Sequence, residues 1–208
     1  ITITGAVSPP GGDFSEPVTQ TTLRIIKTFW ALDVELARRR FFPSINWFTS
    51  YTLYSEILSR WFEKHVNPEW NILKKKAMAI LERRREIMEI ARLVGVTNLS
   101  PRQRLLMEVG KMIEEDYIQQ NALHPVDAFC PLKKMYRMLR VIIRFYESAQ
   151  RLLALRVPVE KIIHLPVVHE IARMKYIPYD DKEEMERRFD EIERRLVEQF
   201  EKLKEVHV

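Results

Sequence analysis

The sequence predicts a mainly α protein, with a C-terminal helical bundle over residues 53–208 preceded by a shorter, differently built segment over residues 1–52. Three observations carry this expectation. Only five glycines occur in 208 residues, which argues against a turn-rich sandwich or barrel. After Tyr51, apolar residues recur three and four apart over long stretches, the period of a helix face. Prolines punctuate those stretches where a helix must begin or end.

Taken in order, Ile1-Thr2-Ile3-Thr4 alternates β-branched residues without an initiator Met. It reads as the end of a strand whose sheet partners lie elsewhere, so the chain is expected to be a piece of a longer protein. The breakers in Ser8-Pro9-Pro10-Gly11-Gly12-Asp13 make a loop. From Thr21 the pattern turns helical, with Leu23, Ile26, Phe29 and Trp30 on one face and Leu32 and Leu36 beyond them. Arg38, Arg39 and Arg40 are expected to close that helix, cations at the negative end of its dipole. Pro43 forbids continuation and pushes Phe42 towards an extended conformation.

The bundle follows. One helix is expected over 54–66, stopped by Asn67-Pro68, and a longer one over 69–93, stopped by Gly95. Ser100-Pro101 combines an N-cap residue with proline in the first helical position and opens a helix reaching about residue 119. Pro131 opens another, striped by Met135, Leu139, Ile142, Tyr146, Ala149 and Leu153. Shorter pieces follow Pro158 and Pro166. Asp180 with Glu183 resembles a capping box ahead of the last helix, which carries Met185, Phe189, Ile192, Leu196, Phe200 and Leu203 on one face. Strand is expected only in the first few residues.

Composition narrows the function classes. Apolar residues make up 46% and charged residues 30%, so a core can form. The formal charge of +5 is the small excess of 34 basic over 29 acidic residues, which suits a solvated surface better than a nucleic-acid groove. The basic runs 74–76 and 83–85 share a helix with Glu82, Glu86 and Glu89, close enough for intrahelical ion pairs. The four tryptophans stand among apolar neighbours and are expected in the core rather than stacked on bases. Cys130 is the single cysteine, which excludes an internal disulfide and a Cys-based zinc site and suits a reducing compartment. The five histidines form no metal-binding spacing. No G-x-S-x-G elbow and no G-x-x-x-x-G-K-[ST] phosphate loop occurs, so the chain carries no catalytic set and no metal ligands of its own. No apolar run is long enough to span a membrane.

Three ordered motifs carry a resemblance. GAVSPPGGDFSEPVTQ over residues 5–20, ARRRFFPSINWFTSY over 37–51 and QQNALHPVD over 119–127 are similar to signature stretches of the catalytic A subunits of archaeal and vacuolar (A/V-type) rotary ATPases. The non-catalytic B subunits match less well, because they lack the SPPGGDF stretch.

The resemblance implies that residues 1–52 are the trailing edge of an α/β nucleotide-binding domain and 53–208 the C-terminal helical domain. In that family the phosphate loop, the glutamate that polarises the attacking water and the Mg-binding aspartate all precede this region, and the arginine finger comes from the B subunit. ATP or ADP with Mg2+ is the implied ligand of the full subunit, and this chain alone is expected to be inactive. Phe42 falls where an aromatic ring faces adenine; Leu123 stands where the family carries Phe; Tyr117 and Phe129 are further adenine-wall candidates. Asp13, Ser15 and Glu16 lie in a loop that approaches the central stalk in F-type relatives. Val96, Thr97, Asn98 and Leu99 form the turn at the lever position, without the acidic tip of F-type levers.

The implied partners are the B subunit, in an alternating A3B3 ring, and central-stalk subunits. Neither nucleic acid nor direct membrane insertion is implied. The implied site of action is the cytoplasmic side of the cell membrane, coupled to proton or sodium translocation. The rival reading of the residues is a stand-alone helical interaction module that binds no nucleotide.

Overall fold

The computed structural model describes residues 1–207, the Val94 side chain apart, and its fold is mainly α. Nothing in 1–4 is paired as strand among the described residues. The motif loop closes in a short 3-10 turn, Pro10–Gly12, in which Gly11 takes a left-handed φ of 63°. Helix α1 (Pro17–Ile25) starts on Pro17, with the Glu16 carboxylate accepting from Thr19 N at 2.8 Å.

The single helix expected from Thr21 to Arg40 is instead broken in two by a strand. β1 (Thr28–Phe29) pairs antiparallel with β2 (Tyr51–Thr52), and Leu32 bridges to Ile45. Helix α2 (Val34–Arg38) then starts afresh. Two features of the sequence explain the break. Thr28-Phe29-Trp30 is a β-branched and aromatic run that suits a pleated surface. Asp33 is an N-cap, its Oδ1 accepting from Glu35 N at 2.8 Å and Leu36 N at 3.0 Å. The expectation that strand is confined to the first residues is corrected by the same observation.

The helical region follows the sequence closely: α3 (Ser55–His65), α4 (Trp70–Val94), α5 (Pro101–Met112), α6 (Leu132–Ala154), α7 (Val159–Ile163), α8 (Pro166–Arg173) and α9 (Lys182–Glu205). A π-helical segment, Ile113–Ile118, extends α5. Helix α6 is the centre, packed against α4, α5, α8 and α9. Its inner face runs through Met138, Val141, Ile142, Phe145, Ala149 and Leu152. Met135, Tyr146 and Leu153 of the expected stripe lie at the edge of that face, half-buried against the core. Each fully buried large aliphatic contributes about 1.5–3 kcal/mol by leaving water.

Helix α9 docks through Met185, Phe189, Ile192, Leu196 and Phe200, with the Phe200 ring edge-on to Phe145 at 5.4 Å. Its N-cap is Asp181, one residue beyond Asp180: Asp181 Oδ1 accepts from Glu183 N and Glu184 N, so Asp180 is not the cap. The tryptophans also need correcting. Trp70 is buried and Trp47 half-buried, but Trp30 and Trp61 are exposed. Among the described residues, no helix is long and apolar enough to cross a membrane.

Candidate functional site

Residues 41–49 form a stiff hook because one polar residue ties it at several points. Asn46 Nδ2 donates to Asp33 Oδ2 at 2.9 Å, its Oδ1 accepts from Phe48 N at 2.9 Å, and its backbone N donates to Ala31 O at 2.8 Å. Phe41 is buried against Trp47 at 5.6 Å. Arg85 of α4 lies 4.3 Å over the Phe48 ring and joins the hook to the bundle. With Phe41 turned in, Phe42 points outward and keeps 46% of its surface exposed, ahead of a cis bond to Pro43.

The third motif meets the hook here. Gln120 N donates to Phe42 O at 2.7 Å. The loop over 119–127 is closed on itself by Asp127, whose Oδ2 accepts from Asn121 N at 2.6 Å and whose carbonyl accepts from Gln120 Nε2 at 3.1 Å. His124 Nδ1 accepts from Val126 N and Asp127 N at 3.1 and 3.2 Å, which requires the lone pair on that nitrogen. Leu123 sits on the outside of this knot, 95% exposed. Tyr117, on the π-helical segment, is packed against the core, and burial pushes its phenol well above the usual range. Phe129 is 64% exposed and edge-on to Tyr179 at 6.0 Å. The open grooves lined by Glu170, Arg173, Glu184 and Arg187, and by Asp180 to Asp190, include neither Phe42 nor the loop.

The hairpin of α4 and α5 is built from its ends. Gly95 turns at φ 86°, a region L side chains avoid, and a 3-10 turn Val96–Asn98 follows. Ser100 and Gln103 then cap one another's backbone at the start of α5, a full capping box. Leu99 is buried, which leaves Val96, Thr97 and Asn98 as the exposed residues of the tip. Ile87, Leu105, Val109 and Ile113 anchor the pair, whereas Ile90 stays substantially exposed. At Gly110 the helices come so close that Arg84 occupies the place of a Cβ. Arg84 pairs there with Glu114, both largely out of solvent, and burial raises the Glu114 carboxyl above its ordinary value. In the other candidate loop, Asp13 and Glu16 accept from Ser15 and Thr19, and those bonds hold both carboxyls below their ordinary values.

The family model for the C-terminal domain of V and A type ATP synthase matches residues 59–163, and that for the ATP synthase alpha/beta family nucleotide-binding domain matches residues 1–52. The chain belongs to the V/A-type ATP synthase family. It is 50% identical over 203 residues to the A subunit of the A-type ATP synthase of Methanopyrus kandleri and, equally, to the V-type ATP synthase alpha chain of Acetivibrio thermocellus. Both matches cover 98% of this chain and 34% of the relative. The corresponding A subunit from Pyrococcus abyssi is 50% identical over 178 residues, 86% of this chain and 18% of that one. The chain thus spans about a third, or less, of the length of the curated relatives it matches. A solved ATP synthase component, NeqB from Nanoarcheaum equitans, shares the fold at a TM-score of 0.55 and 17% identity, over 66% of this chain and 34% of that one.

Several residues that shape this V/A-type region escaped sequence reasoning. Lys134 is wholly buried near the start of α6, its Nζ donating to Lys175 O at 2.6 Å. Lys175 Nζ in turn donates to Glu115 O at 2.9 Å and Gln119 O at 3.1 Å. Neither lysine has a periodicity or a motif that separates it from the many surface lysines. Arg84 lies inside a basic run that reads as solvated, and only the missing side chain at Gly110 hinted at a close helix approach.

Proposed function

We propose that this chain is part of the catalytic subunit of a rotary A/V-type ATPase, where it contributes the adenine end of the nucleotide site and a hairpin that meets the central stalk. Residues 1–52 end the nucleotide-binding domain and 53–208 form the helical domain. Phosphate and Mg2+ chemistry belongs to parts of the subunit outside this sequence, since no phosphate loop occurs in it. The observation that carries the reading is the 2.7 Å bond from Gln120 N to Phe42 O. It joins two motifs far apart in sequence and ties the exposed Phe42 to the loop that carries Leu123.

A flat ring offers adenine stacking worth about 1–3 kcal/mol, whatever the number of phosphates attached. Such a contact is equally good in substrate, transition state and product, so it sets affinity and not the rate of the chemical step. Tyr117, Leu123 and Phe129 are the further candidates for that wall. Val96, Thr97 and Asn98, together with Asp13, Ser15 and Glu16, are the surfaces offered to the stalk, and the B subunit is the neighbour across the site. The complex lies on the cytoplasmic side of the membrane and couples ATP chemistry to proton or sodium translocation.

In the assembled enzyme, Phe42→Ala should raise KM for ATP by the equivalent of about 1–3 kcal/mol while kcat stays within about twofold. Inorganic phosphate binding should not move. Unchanged adenine-nucleotide affinity in a folded variant would remove Phe42 from the site. The exposed apolar residues Ile57, Leu58 and Trp61 on α3, with Leu53 just before it, favour a second reading, a docking module without nucleotide. That reading requires stalk binding by this chain that ignores ATP and ADP alike.

A further inference from the structure

We infer that Lys175 is the positioning residue of the adenine-facing loop, holding the Gln119 to Asp127 knot, and through it the Phe42 backbone, in place. This rests on the nucleotide reading above. Lys175 lies in the 3-10 turn Met174–Tyr176, outside all three motifs and outside the residues matched by the family models.

Its ammonium faces three oxygens, two of them within hydrogen-bond reach. Nζ donates to Glu115 O at 2.9 Å and Gln119 O at 3.1 Å, and Asp127 Oδ2 stands 3.9 Å away. These oxygens belong to the π-helical segment, the first residue of the loop and the last. The Lys175 side chain is only 12% exposed and that of Asp127 4%, so water does not substitute readily for either. The turn that carries Lys175 is itself fixed, because buried Lys134 donates to the Lys175 carbonyl at 2.6 Å. From this anchored knot, Gln120 N reaches Phe42 O. Removing the ammonium leaves two inward carbonyls without their donor and takes from the buried Asp127 carboxylate one of its two neighbouring cations, Lys134 being the other, so the loop must open to hydrate the carbonyls. An arginine cannot replace it well, since a planar fork does not converge on three oxygens around one point.

The test uses Lys175→Met in the assembled enzyme, with Asp127→Asn as a second variant that keeps the Asn121 acceptor and removes only the charge. Expected results are ADP affinity weaker by about tenfold, phosphate affinity unchanged, and faster hydrogen exchange at the Gln120 and Asn121 amides. Lys175→Arg should restore only part of the affinity. In a Phe42→Ala background, Lys175→Met should add little, because the two act on one contact. Wild-type exchange at Gln120 and Asn121 in folded Lys175→Met and Asp127→Asn overturns the proposal, as do losses for ADP and phosphate that are equal. Faster exchange with unchanged ADP affinity sinks the nucleotide reading and leaves Lys175 as a clamp of the loop alone.

Discussion

Within residues 1–52, Trp30, Leu32 and Val34 stand largely in solvent, whereas in α6 Val141, Ile142 and Phe145 are sealed from it. The first region keeps its shape by polar ties at short range. Asp33 caps α2 and holds Asn46; Ser50 Oγ accepts from Ala31 N at 3.0 Å; Tyr51 OH donates to Leu23 O at 3.1 Å. The second keeps its shape by a continuous apolar core shared by α4, α5, α6, α8 and α9. One region is therefore sensitive to lost hydrogen bonds and caps, the other to lost volume. The junction between them, at Phe42 and Gln120, inherits rigidity from both.

The largest expected effect sharpens that contrast. Phe145→Ala should cost about 3–5 kcal/mol, since it empties a site walled by α9 and Phe200. Leu32→Ala, at a residue 76% exposed, should stay within about 0.5 kcal/mol. Urea unfolding of the two variants checks it, and equal costs would dissolve the distinction between the regions.

The next effect probes the close approach inside the bundle. Ala is ordinarily the better helix former by about 1 kcal/mol, yet Gly110→Ala should destabilise by about 1–3 kcal/mol. A methyl group there runs into the aliphatic stem of Arg84, whose Cβ and Cγ lie 3.1 and 3.2 Å from it, and disturbs the pair with Glu114. A higher thermal midpoint for the variant would show that Arg84 steps aside freely.

Legibility in the sequence followed the same division. Helices whose starts and stops are written in local chemistry, such as Ser100-Pro101, Gly95 and Pro131, were readable from the chain alone, and so was the α9 stripe. The break between α1 and α2 was not, because Leu23 to Leu36 satisfies a helical period while Asp33 and the pairing of Thr28 with Thr52 decide otherwise. Register between distant segments has no local signature. For the candidate site, the motifs marked Phe42 and the 119–127 loop, but the bond that joins them and the lysine beneath depend on tertiary approach. Trp30 and Trp61 misled because hydrophobicity says that a side chain gains from burial, not that this chain supplies the cover.

The smallest expected effect concerns acid, and it should have opposite sign in the two regions. Hydrogen bonds from Leu36 N and Asn46 hold the Asp33 carboxyl below its ordinary value of 3.8. An acid with a lowered folded pKa adds stability above that ordinary value and loses it as pH falls through the folded one. Asp116, on the π-helical segment, is displaced the other way. Burial, with Glu115 adding repulsion, outweighs Lys175 and Lys111 and lifts its carboxyl from 3.8 to about 6. The folded state then binds the proton more tightly than the unfolded one, so stability falls as pH rises from about 4 to about 6 and stays lower above. Asp116→Asn should accordingly be more stable than the parent at neutral pH, with the gain fading to nothing below about pH 4. Asp33→Ala should cost about 1 kcal/mol at neutral pH through the lost cap, and that cost should shrink only below about pH 4. Chemical unfolding across this range reads both. A constant gain for Asp116→Asn at every pH would mean that its carboxylate is hydrated like a surface acid, and the segment beneath Tyr117 would then be wetter than the packing of α5 and α6 allows.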